Sequence, residues 1–188
     1  KSNSSRRNHL QNRVIELSLV AIVLGHENAN EGILGSIISD RNPDEWQLVI
    51  SSIGSVISET PDPGHLDKAK SLISRLLDVR DTAPSDPKWK KSFRGLERFL
   101  TLLKDPGDPL VARIIRVVAS DTENPWELND LIEYLHQFKD THPKTIGELY
   151  VSLLTLSTFA PMWPPEKVRD VCQSLMEHSE TTSMIDIC

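Results

Sequence analysis

The chain has 188 residues, 38% of them hydrophobic, and a formal net charge of −6. It is long enough to bury a real core, and its negative balance argues against recruiting nucleic acid or an anionic membrane by bulk charge. Its two cysteines, Cys172 and Cys188, offer no disulfide framework and no metal cluster, so a reducing intracellular compartment, nucleus or cytoplasm, is expected.

No apolar run reaches the roughly 18 residues that a membrane span needs. The longest, Val14 to Leu24, is interrupted by Glu16 and Ser18. The flanks of a secretory signal are missing, so Asn3-Ser4-Ser5 reads as a chance match to a glycosylation acceptor. Because the chain opens on Lys1 and not on Met, it is expected to be a piece of a longer or processed protein.

Residues 1–9 are polar, and a flexible segment is expected there. A helix should follow over Leu10 to Leu24. Its apolar residues nearly encircle the cylinder toward the end, so it must be covered on more than one side. Gly25 is a natural stop. Asn30 would cap a short helix over Glu31 to Ser39, with Ile33, Leu34, Ile37 and Ile38 inward. From Asn42-Pro43, the residues Trp46, Val49, Ile50, Ile53, Val56 and Ile57 keep helical spacing. Gly54 inside this helix suggests close packing against a neighbour. Thr60 to Gly64 reads as a turn, and a helix over His65 to Val79 carries Leu66, Ala69, Leu72, Ile73, Leu76 and Leu77.

The segment Asp81 to Pro87 is the clearest connector. One helix is then expected over 88–104, with Trp89, Phe93, Leu96, Phe99, Leu100 and Leu103 in one stripe. Lys90, Lys91, Arg94 and Arg98 fall on the other side. Asp108 would cap the next helix, Leu110 to Ala119. Asn124-Pro125 opens a helix with Leu128, Leu131, Ile132, Leu135 and Phe138 inside, and with Glu127, Asp130, Glu133 and Asp140 outside. Helices over Lys144 to Phe159 and Pro165 to His178 complete a domain spanning 10–178. A loose tail is expected over 179–188. The fold class is all-α, with eight or nine antiparallel helices in stacked pairs, forming either a repeat superhelix or an irregular helical bundle.

Helix starts led by Asn-Pro or Asp-Pro recur at Asn42-Pro43, Asp86-Pro87 and Asn124-Pro125, with an echo at Trp163-Pro164-Pro165. An asparagine or aspartate caps the free amides, and proline suits the first helical position. The recurrence of about 40 residues suggests an array of helical pairs. On these starts and on two helices per unit, the stretch from Asn42 to Met176 resembles HEAT or armadillo repeats. That resemblance implies a superhelix with a concave binding face and carries over no active site.

Two surfaces stand out. The basic set Lys90, Lys91, Arg94 and Arg98, with Lys88 and Lys104 nearby, could hold an acidic peptide or a phosphate backbone. Its ordinary alternative is a solvated helix face, and no aromatic is interleaved for base stacking. The acidic set on the helix after Pro125 could likewise meet a basic partner or simply face solvent. Of the four tryptophans, Trp46 and Trp89 lie on inner stripes, whereas Trp126 and Trp163 are the interface candidates. The six histidines lack metal-ligand spacing, Cys172 sits on an apolar stripe, and no nucleophile elbow or phosphate loop occurs. The expectation is a non-enzymatic scaffold without cofactors, binding peptide or helix segments of other proteins as part of a larger complex subunit. The alternative is a nucleic-acid-associated module using the basic face.

Overall fold

A computed structural model describes residues 2–25, 31–40, 42–59, 62–82, 92–121, 127–156 and 165–178. The elements are all helical, with no strand among the described residues. The expectation of one domain over 10–178 meets a chain whose contacts cluster in two compact units, Lys1–Gly95 and Leu96–Cys188. Each is described by itself.

The first unit holds α1 (Ser2–Val23), α2 (Glu31–Asp40), α3 (Pro43–Glu59) and α4 (Pro63–Asp81). The first helix begins at Ser2, well before the apolar pattern starts. No glycine or proline interrupts residues 1–24. Once a helix is nucleated, each further residue of ordinary propensity extends it at little cost. At the other end, Gly25 takes φ 100°, a left-handed turn that ends α1 and suits glycine.

Helix α3 starts as its sequence predicts. Asn42 Oδ1 accepts from the amide of Asp44 at 3.1 Å, and the Asn42 carbonyl takes the first helical bond from Trp46. Helix α4 uses the same device. Asp62 caps it by accepting from the amides of Gly64 and His65, and Pro63 fills its first position. The segment read as a turn therefore carries a helix start.

The core of this unit is Ile15, Leu19, Ile22 and Val23 of α1, Trp46, Val49, Ile50, Ile53 and Ile57 of α3, and Ala69, Leu72, Ile73, Leu76 and Leu77 of α4, all buried. Each large aliphatic removed from water contributes about 1.5–3 kcal/mol. Helix α1 packs most extensively against α3, its next-but-one neighbour in the chain. Gly54 of α3 has no atom within 4 Å of where a Cβ would lie. The close approach expected at that glycine is therefore not made.

The second unit holds α5 (Leu96–Phe99), a 3-10 turn (Leu100–Leu102), α6 (Pro109–Asp121), α7 (Glu127–Phe138), α8 (Pro143–Leu156) and α9 (Pro165–His178). Asp108 caps α6 by accepting from the amide of Leu110 at 2.9 Å. The main contacts again join alternate helices, α6 with α8 and α7 with α9, while α8 also packs against α7 and α9. Buried side chains include Leu110, Val111, Ile114 and Ile115 of α6, Leu128, Leu131, Ile132 and Leu135 of α7, and Ile146, Leu149, Tyr150 and Leu153 of α8.

Proline opens α3, α4, α6, α8 and α9, at positions 43, 63, 109, 143 and 165. Of the starts that suggest a recurrence of about 40 residues, Asp86-Pro87 and Asn124-Pro125 lie outside the described residues, and proline also opens α4, α6 and α8 between them.

Candidate functional site

Helix α1 carries two apolar faces, and only one of them is covered. Ile15, Leu19, Ile22 and Val23 are buried, whereas Leu10 is 65% exposed, Val14 50%, Leu17 67% and Leu24 39%. At 100° per residue, Leu10, Val14, Leu17, Ala21 and Leu24 fall within about 80° of arc on the side opposite the core. Their steps of four and three residues alternate, which is the spacing of a seam between two helices. Ala21, partly exposed, lies within the stripe. Charge sits to one end: Arg6, Arg7, Arg13 and Glu16 all precede Leu17, and residues 17–25 carry none. Arg13 is held at 2.7 Å by Glu16 on the flank of the stripe.

This stripe was legible only in part. The sequence shows α1 apolar nearly all round and in need of covers on more than one side. It does not show which side the fold leaves open.

The basic cluster is described only in part. Lys88, Lys90 and Lys91 lie outside the described residues. The expected helix over 88–104 is interrupted at Gly95, whose φ of 91° cannot continue a right-handed helix. Arg94 precedes that break in the first unit, while Arg98 follows it on α5 in the second; both are exposed. Arg98 Nε lies 3.8 Å from Glu97 Oε1. The apolar side of the segment behaves as expected, since Phe93, Leu96, Phe99, Leu100 and Leu103 are all buried.

Two members of the acidic set, Glu133 and Asp140, have partners within their own unit, and the side chain of Glu127 lies outside the described residues. Glu133 pairs with Lys167 of α9. Asp140, just beyond α7, pairs with Lys139 and accepts from the Ser174 hydroxyl of α9 at 2.9 Å. His136 adds a contact with Asp170 at 3.5 Å. These polar contacts join α9 to α7 within the second unit.

Trp126 and Trp163, the tryptophans singled out for an interface, lie outside the described residues, as does Trp89. Trp46 is fully buried; its Nε1 donates to the Ile37 carbonyl at 3.0 Å, and Phe93 meets it edge-on. Cys172 is half-buried, with Sγ 3.9 Å from Tyr150 Oη, and Cys188 lies outside the described residues. The sequence reading missed Tyr134. Its hydroxyl donates to the Leu103 carbonyl at 3.0 Å, and burial, followed by the charges of Asp105 and Asp108, pushes its phenol well above the ordinary range.

Among the described residues, no group of histidine, cysteine or carboxylate side chains is placed to hold a metal, and no helix is long and apolar enough to cross a membrane. Comparison with known families, curated proteins and solved structures returns no match for the chain.

Proposed function

We propose that this protein is a non-enzymatic helical scaffold that binds other proteins, as one domain of a larger complex subunit, and that the open stripe of α1 is a helix-docking face. The observation that carries this reading is Leu10, Val14, Leu17 and Leu24 exposed together at seam spacing. A large apolar side chain left singly in water is unremarkable, but a row of them on one helix face is the usual form of a helix-binding surface. Packing of alternate helices, α6 with α8 and α7 with α9, supports a layered array of the HEAT or armadillo kind. In this reading the protein works in a reducing compartment, which its sparing use of cysteine supports.

The basic cluster is not adopted as a phosphate site. Lys88, Lys90 and Lys91 lie outside the described residues, and the net charge of −6 gives the chain no bulk attraction for a phosphate backbone.

The test is a Val14→Glu, Leu17→Glu double variant. Both positions are exposed, so its melting temperature should stay within about 2 °C of the parent, consistent with surface substitutions of small effect. Chains recovered with the tagged parent in affinity capture, untagged copies of this protein included, should be lost from the variant. An unchanged set of recovered proteins would remove the stripe from its assigned role.

A further inference from the structure

We infer that the occupant of the α1 stripe is a second copy of this chain, paired antiparallel about Leu17 across a two-fold axis. The inference rests on the docking role assigned to the stripe and specifies what fills it.

Three features of α1 point to self-pairing. First, the stripe reads much the same in both directions. Leu10, Val14, Leu17, Ala21 and Leu24 place leucine at each end and in the middle, with a smaller residue between. Reversed on itself, Leu10 meets Leu24 of the other copy, Val14 meets Ala21, and Leu17 meets Leu17. A patch that complements itself under a two-fold rotation is what an isologous contact requires.

Second, the charges select the direction. Arg6, Arg7 and Arg13 all lie in the half of α1 before Leu17, with Glu16 as the single acid of the helix. A parallel pair would set the arginines of the two copies side by side, whereas the antiparallel pair carries them to opposite ends of the seam. Like charges held within a few ångströms oppose association, and separating them by more than a Debye length of about 8–10 Å removes most of that penalty.

Third, the opposite side of α1 is already occupied. Ile15, Leu19, Ile22 and Val23 are buried, chiefly against α3. The second copy therefore meets a helix held in place by its own unit and need not order it first.

The extent of the stripe sets the strength. From Leu10 to Leu24 the helix rises about 21 Å at 1.5 Å per residue. A contact of two heptads falls at the small end of specific interfaces, so the search for the pair extends through micromolar concentrations.

The experiment uses the full chain with Cys172→Ser and Cys188→Ser as background. Mass is measured by light scattering from about 1 to 300 μM, with single cysteines placed at positions 10, 17 and 24 for cross-linking by a short bis-maleimide. The expected result is a concentration-dependent dimer. Leu17→Cys should link to itself in high yield. Leu10→Cys should not, because its twin lies about 20 Å away in the antiparallel pair, yet it should link to Leu24→Cys when the two variants are mixed. Val14→Glu with Leu17→Glu should return the protein to a monomer without loss of helicity by circular dichroism.

Self-linking of Leu10→Cys alone would replace the antiparallel pair with a parallel one and overturn the inference. A monomer at 300 μM whose introduced thiols react as fast as free cysteine would also overturn it, while leaving the stripe open to a different protein. A monomer whose thiols react slowly, with Leu17→Glu also lowering the melting temperature, would show that the chain covers its own stripe. That result would remove the docking reading as well.

Discussion

The indole Nε1 of Trp46 donates to the carbonyl of Ile37 at 3.0 Å, tying the first turn of α3 to the middle of α2. The tryptophan is fully buried, so this bond satisfies a polar group that would otherwise be costly to hide. Trp46→Phe keeps much of the packing but removes the donor, and should cost about 1–2 kcal/mol. Trp46→Ala adds a cavity beside Phe93 and should cost about 3–5 kcal/mol. Urea unfolding followed by circular dichroism measures both, and equal costs would show that the hydrogen bond contributes nothing.

Two glycines should respond to alanine with opposite sign. Gly54 lies inside α3 with open space around its missing side chain. Gly54→Ala should therefore raise stability by about 0.5–1 kcal/mol, mainly by restricting the unfolded chain. Gly95 also has open space, but its φ of 91° lies in the left-handed region. Gly95→Ala should lower stability by about 1–2 kcal/mol through backbone strain alone. Chemical denaturation of the two single variants decides the pair of signs.

Tyr134 links stability to alkaline pH. Its phenol is held neutral in the folded chain because burial, and then the charges of Asp105 and Asp108, raise its pKa. In the unfolded chain the group ionises near its ordinary value of about 10. A raised folded pKa means that its contribution is fully present below pH about 10 and is lost as pH climbs beyond it. The stability difference between the parent and Tyr134→Phe should therefore be constant from pH 7 to 9 and shrink toward pH 11. A difference that stays level across that range would show that the folded phenol ionises as freely as the unfolded one.

Helix caps offer a cleaner, local test. Asp62 accepts from two amides at the start of α4, and Asp108 accepts from Leu110 at the start of α6. Asp62→Ala and Asp108→Ala should each cost about 1 kcal/mol, whereas the asparagine variants should retain most of that stabilisation. Hydrogen exchange of the first-turn amides should report the loss at the affected helix.

The surface pair between Glu133 and Lys167 should matter less. Both side chains remain partly exposed, so Glu133→Gln should change stability by less than about 1 kcal/mol. A larger loss in thermal unfolding would mean that the polar staple between α7 and α9 acts as a connected network.

What the sequence discloses follows from how locally each feature is determined. The start of α3 is local: Asn42 and Pro43 set it with the amides of one turn. The inner stripes of α3, α4, α6 and α7 are legible for the same reason, because apolar residues at helical spacing need a cover wherever it comes from. The break at Gly95 was harder to see, since glycine within a helical pattern is usually tolerated and only its backbone angle reveals the turn. Tyr134 carries a hydroxyl, so periodicity alone does not place it in the core; its partner, the Leu103 carbonyl, comes from a distant segment. The face of α1 that stays open is the least local fact of all. Val14 and Leu17 are as apolar as Ile15 and Leu19, and only the position of α3 separates them.

The packing of α1 on α3 and of α6 on α8 also bears on how quickly the chain reaches its fold. Helix α1 finds α3, and α6 finds α8, after only one intervening helix. The loops to be closed are short, so little chain entropy opposes the first encounters. Helical proteins rich in local contacts complete the search in microseconds to milliseconds. Stopped-flow refolding of this protein should therefore be nearly over within the dead time of the instrument.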